Sequence, residues 1–250
     1  IDGFTTYFGF TTALGNEGVI ENSGAITIGA NAGACNRGIH NRATFNNNTG
    51  GQVSVDNTDF TGIYNFSGAF TNAATITIGA NAMVGTYGIW SEATFFNNPG
   101  GQISIDRSNY AGISNGTNST FNNAAEITIG ANAGVGSYGI QNRATFNNNS
   151  GGQISVDRST STGIENISGA ITNVAEITIG ANASVGAHGI QNRATFNNNS
   201  GGQISVDKSI AVGIENISGA FNNMAAITIG ANTGVGSYGI QNRATFNNNS

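Results

Sequence analysis

Four aspartates recur at matched places: Asp56, Asp106, Asp157 and Asp207, followed in turn by Asn57, Arg107, Arg158 and Lys208. Recurring carboxylates raise the chemistry of calcium, which needs several oxygen ligands converging on one small volume. The spacing argues against it. On the coil inferred below the carboxylates fall only on alternate turns, about 9.6 Å apart at strand spacing, and a cation follows three of them. They are expected to be surface charges that keep the chain soluble or pair locally at little gain in stability. The nonapeptide calcium repeat is also missing.

Tyr87, Tyr138, His188 and Tyr238 form a second spaced file, each just before a Gly-Ile pair, with Arg37 in that place in the first unit. A row of exposed rings can stack on sugars, which makes Tyr87, Tyr138 and Tyr238 the candidate ligand face. Rings so placed can equally do no more than cover the long loop before them. Paired Thr and Asn make a third pattern: Thr44 and Asn46, Thr120 and Asn122, Thr145 and Asn147, Thr195 and Asn197, Thr245 and Asn247. A flat, regular Thr array can bind ice. Here Ala69, Ala170, Ala220 and Phe96 interrupt the files and Arg143 and Arg193 lie alongside, so a polar, solvated strand face is expected instead.

Catalysis needs one irregular constellation, and near-identical units do not supply one. His40 and His188 occupy unrelated places, and no nucleophile–base or metal-ligand set stands out. No enzyme activity, metal or cofactor is expected. Charged residues are 8% and the net charge is −5, with no basic patch, which argues against nucleic acid as a partner. No apolar run approaches the ~20 residues that span a bilayer. Cys35 is the single cysteine, so no disulfide forms within the chain.

What must position these residues is a repeat. The segment 139–188 and the segment 189–238 differ at twelve of fifty positions, and ITIG begins at Ile26, Ile76, Ile127, Ile177 and Ile227. Such self-similarity means an array whose units bury their apolar faces against one another. Inside each unit Ile140-x-Asn142, Phe146-x-Asn148 and Ile154-x-Val156 return as Ile164-x-Asn166, Ile171-x-Asn173 and Ile177-x-Ile179. Inward residues two apart are the period of a strand, and Asn-Ser-Gly-Gly and Gly-Ala-Asn clusters supply the corners. The chain therefore predicts an all-β fold: a right-handed parallel β-helix (β-solenoid) of about 24–26 residues per three-strand turn, two turns per 50-residue repeat. Ten turns would make a rod about 48 Å long. Residues 1–24 read as a divergent first turn and 25–250 as tandem repeats. The start at Ile1 and the stop within a repeat at Ser250 suggest a segment of a longer chain or a processed product.

Stacking predicts ladders. One runs through Phe45, Phe70, Phe95, Phe121, Phe146, Phe196, Phe221 and Phe246, broken by Ile171. Two more are of asparagine: Asn142, Asn166, Asn192 and Asn216 belong to the first, and Asn148, Asn173, Asn198 and Asn223 to the second. A buried amide is costly unless bonded, and stacked amides can bond along the axis. Ser91 interrupts the first ladder beside Trp90 and Glu92, in the most divergent unit.

The line GIxNxGxFxNxxxIxI resembles the β-helix repeats of large bacterial surface and secreted proteins, the filamentous adhesins among them. The resemblance covers about residues 18–250. In half of the turns the expected glycine stands in GIENISGAITN, at Gly169; the other half carries Arg-Ala-Thr there. The likeness implies a secreted or cell-surface bacterial protein, a stiff stalk or filament body without a membrane span. Exposed strand edges predict that it associates end to end or continues in a longer chain, and a cell-surface or glycan contact is a further candidate partner. The high identity between units departs from most adhesins and favours a role in which every turn does the same job.

Overall fold

A computed structural model of the chain describes residues 5–7, 10–29 and 34–249. Part of the divergent first segment (1–4 and 8–9), the first unit's long loop at 30–33, and residue 250 lie outside the described residues. Every element among the described residues is a strand, arranged as three sheets of eleven, ten and nine strands. Sequence neighbours fall in different sheets, and each strand pairs in parallel with the one a turn before it and a turn after it. The result is the predicted β-solenoid. The nine-stranded third sheet sets nine complete three-strand turns rather than ten, the last turn lacking its third strand. Among the described residues the single antiparallel pair joins Thr5–Tyr7 to Phe10–Asn16.

The period-two reading places the core. Ile140, Ile164, Ile190 and Ile214 stack in the first sheet, the phenylalanines in the second, and Ile154 with Val156 over Ile177 with Ile179 in the third. All are buried. Phe95 and Phe121 stack 4.7 Å apart with planes 4° from parallel, and Phe121 and Phe146 at 4.9 Å and 4°. These are strand-spacing distances: the backbone ladder fixes how far apart the rings sit. Ile171 fills the one gap without disturbing the register.

The asparagine ladders are the most directional element. Asn142 Nδ2 donates to Asn166 Oδ1, Asn166 to Asn192, and Asn192 to Asn216, each at 2.8 Å. In the second ladder Asn148 donates to Asn173 and Asn173 to Asn198 at 2.8 Å, and Asn198 to Asn223 at 2.7 Å. Each donation runs toward the C-terminal end. The second amide hydrogen goes to a corner carbonyl, as from Asn166 to Thr195 O (2.8 Å) and from Asn148 to Glu176 O (3.0 Å). The ladders also reach back further than the repeat pattern suggested. Asn16 donates to Asn41 and Asn22 to Asn47, both at 2.7 Å, so the divergent first segment already keeps the register.

The break at Ser91 is repaired locally. Asn65 Nδ2 donates to Ser91 Oγ at 3.2 Å, and Ser91 Oγ turns to the Ala93 carbonyl at 3.0 Å. Asn115 Oδ1, deprived of its donor from below, has the hydroxyl of Ser119 at 2.6 Å.

Close packing explains the Gly before each inward Ile of the first sheet. A Cβ on Gly163 would lie 2.6 Å from Ile179 Cγ2 and 2.7 Å from the Gly189 carbonyl, so the third sheet's side chains pack directly on first-sheet backbone.

Because Asn166 is fully buried and bonded above and below, Asn166→Ala orphans an Asn142 hydrogen and takes one donor from the Thr195 carbonyl. Such an orphan costs about 1–3 kcal/mol. Urea denaturation should show that loss, whereas Asn149→Ala, on an exposed corner, should change stability by no more than about 0.5 kcal/mol.

Candidate functional site

The recurrent aspartates are not surface charges. Asp56, Asp106, Asp157 and Asp207 are all buried, and they serve as corner braces. Asp157 Oδ1 accepts from the backbone N–H groups of Asn182 and Ala183 (3.1 and 3.0 Å), and Oδ2 from Asn182 Nδ2 (3.1 Å). Asp106 does the same with Asn132 and Ala133. Nor do the following cations pair with them. Arg158, in the left-handed region at φ 51°, donates Nη1 to the carbonyls of Gly130 and Ala131 on the previous long loop, and Lys208 reaches Ala181 O at 2.7 Å. Each Asp-Arg corner thus fastens one long loop above and one below. Among the described residues no group of three or more His, Cys, Asp or Glu gathers as metal ligands.

The Thr and Asn outward positions lie where the sequence placed them, on the second sheet. The outward asparagines form partial ladders, Asn147 to Asn122 (2.9 Å) and Asn222 to Asn197 (2.8 Å). A longer hydroxyl file, not noticed in the sequence, runs unbroken up the third sheet from Thr27 through Ser54, Thr77, Ser104, Thr128, Ser155, Thr178 and Ser205 to Thr228. Alternation between Ser and Thr in successive half-units hid it. Gln102, Glu126, Gln153, Glu176 and Gln203 stand beside it, exposed, so this face is not a flat array of threonines alone.

The first sheet differs from the other two in being buried on both faces: strand Thr162–Asn166 is buried at every residue. Its outer face carries His40, Tyr64, Trp90, Ser114, Gln141, Glu165, Gln191 and Glu215, in register turn by turn. In the N-terminal half these are rings. His40 stacks on Tyr64 at 5.1 Å, and Tyr64 on Trp90 at 4.6 Å. Phe60 meets Trp90 edge-on at 5.8 Å and Tyr87 at 5.9 Å; the line continues through Tyr87–Tyr110 (5.6 Å) to Tyr110–Tyr138 (5.3 Å). Arg37 lies 4.6 Å over the Tyr64 ring and Arg42 5.1 Å over that of Phe66, contacts that stabilise a cation against a π face.

In the C-terminal half the same face is polar. Gln141 Nε2 donates to Glu165 Oε2 (2.9 Å) and Gln191 Nε2 to Glu215 Oε2 (2.7 Å). Arg193 pairs with Glu165, and His188 Nε2 lies 3.1 Å from Glu215. The three candidate tyrosines are therefore not equivalent. Tyr87 and Tyr138 are half-buried members of one aromatic cluster; Tyr238, on the last turn, is 53% exposed and outside it. The sequence reading grouped them by spacing and missed Phe60, Tyr64 and Tyr110, which belong to the other half-unit and join them only through the coil.

Burial raises the Tyr64 phenol far above its ordinary range, assisted by its hydrogen bond to Glu92 Oε2 at 2.8 Å. Burial likewise holds His40 down at about 4, with Arg37 and Arg42 adding repulsion. Among the described residues no helix is long and apolar enough to cross a membrane. Comparison of the chain with protein-family models, with curated proteins and with solved structures found no match.

His40 is neutral in the fold down to about pH 4, whereas an unfolded histidine protonates near 6.5. Between those values the unfolded chain binds the extra proton, so His40 costs stability as pH falls from about 6.5 and reaches its full effect near 4. His40→Gln, which places at this register the residue found at Gln141, should lessen the decline in Tm between pH 7 and 4 relative to the unchanged chain.

Proposed function

We propose that the chain is a rigid structural rod of a secreted or cell-surface bacterial protein, the stalk of an adhesin or the body of an extracellular filament. One observation carries this reading: two amide ladders and one phenylalanine stack run along the axis, and each turn adds the same bonds as the last. Nearest-neighbour stacking makes stability and length scale with turn number, which is what a spacer needs. On this reading the protein is non-catalytic.

The two ends of the coil set how rods would join. On the last turn Asn242 and Asn248 accept from Asn216 and Asn223, and Ile227, Ile229, Ile240 and Phe246 line an open hollow of about 600 Å³. At the other end Asn16 and Asn22 are the first donors of their ladders. Two rods stacked head to tail would bring sheet edges together, and the unpaired edges of the second and third sheets favour such addition, while Thr5–Tyr7 already covers part of the first sheet's N-terminal edge. The ice-binding alternative draws no support from the second sheet, where Ala69, Ala170 and Ala220 interrupt the threonines.

Electron microscopy with sedimentation over a rising concentration series tests this. Rods that lengthen in steps of one chain, at constant width, are expected. A compact particle, or rods of one length at every concentration, would contradict end-to-end association.

A further inference from the structure

The outer face of the first sheet contains its own control. The register that carries His40 and Trp90 in the first two units carries Gln141, Gln191 and Gln241 in the later ones, with the same pairing on both sides. Tyr64 likewise gives way to Ser114, Glu165 and Glu215, and Phe60 and Tyr110 to Ser161 and Ala211. The backbone forms equally well over amides, carboxylates and small side chains. The coil therefore does not require the rings, and their concentration on the N-terminal half has another cause.

We propose that this aromatic ledge is a binding site for a neutral glycan lying along the rod axis. Phe60, Trp90, Tyr87, Tyr110 and Tyr138 are half-buried, so each keeps part of its ring in contact with solvent. They follow one another at centroid distances of 5.3–5.9 Å in a narrow file rather than a broad patch. Such a file offers apolar surface to the C–H faces of successive sugar rings. Tyr and Trp suit a ligand that is apolar on one side and wet on the other. Hydrogen-bonding groups border the file for the hydroxyls: the Glu92 carboxylate, which accepts from the Tyr64 hydroxyl at 2.8 Å, and the Tyr110 hydroxyl, which accepts from Gln141 Nε2 at 3.2 Å. Convergent polar groups at an apolar surface are the composition of a small-molecule site. The carboxylate of Glu92 stands two residues after Trp90, whereas Arg37 and Arg42 are engaged over the Tyr64 and Phe66 rings, so an acidic polymer is repelled at the file and a neutral one is favoured.

Trp90 is the only tryptophan in the chain, so its fluorescence reports on the ledge alone. The full chain is applied to a printed array of neutral and acidic oligosaccharides, and those retained are titrated in solution against Trp90 emission. Trp90→Gln and Tyr238→Ala are compared on the same array. The unchanged chain should retain neutral glycans and shift its emission on titration. Trp90→Gln should lose at least tenfold in retention at an unchanged Tm, and Tyr238→Ala should retain them as well as the unchanged chain. The proposal is overturned by no retention, by retention of acidic glycans alone, or by retention that Trp90→Gln leaves intact. A fall in Tm in Trp90→Gln would overturn it too, because the rings would then be holding the coil together.

Discussion

A side-chain amide taken out of water must find partners for two hydrogens and an oxygen, and here the next copy of itself supplies them. Every turn but the one holding Ser91 carries two such amides into the interior, at the corners that begin and end the second sheet. Each donates one hydrogen to the amide above and one to a corner carbonyl, as Asn166 does to Asn192 and to Thr195. A turn shifted by one residue would present an outward side chain to that chain of bonds and leave both neighbours unsatisfied. The ladders thus enforce register in a fold whose apolar pattern, with inward residues only two apart, would be tolerant of slips by two. The apolar ladders supply burial, and the amides decide which turn lies on which residue.

The corners follow from the same demand. Turns in which a long Gly-Ala-Asn loop leaves the coil expose backbone groups that no strand can pair. Buried Asp157 takes up N–H groups of the loop at 182–183, and Arg158 takes up carbonyls of the loop at 130–131. The cation's work is with carbonyls rather than with the neighbouring carboxylate, at the expense of a left-handed backbone in a residue that is not glycine. Where a ladder member is missing, at Ser91, the vacancy is met by a hydroxyl from the next turn, that of Ser119. The coil tolerates an irregular unit when each polar group it buries is still paired.

The sequence made the coil legible because its interior is one-dimensional: a residue that faces inward recurs at fixed intervals, and so do its contacts. Phe146 and Asn148 could be placed in the core from spacing alone. Outward residues obey the same period but not the same selection, which is why Phe60, Tyr64 and Tyr110 were not seen to meet Tyr87 and Trp90. Their contacts join different half-units, and only the register of the first sheet sets them side by side. The aspartates were misplaced for a related reason. A charged residue at a turn ordinarily faces water, and what keeps Asp157 inside is a loop that begins more than twenty residues later and folds back over it.

The central claim is that the interior asparagines are bonded to one another along the axis. Hydrogen exchange of asparagine side-chain amides in the native protein, followed by NMR, tests it directly. The account predicts slow exchange for both Nδ2 hydrogens of Asn142, Asn166 and Asn192, and exchange at the rate of a free amide for the exposed Asn118 and Asn149. Uniformly fast exchange across all of them would contradict it.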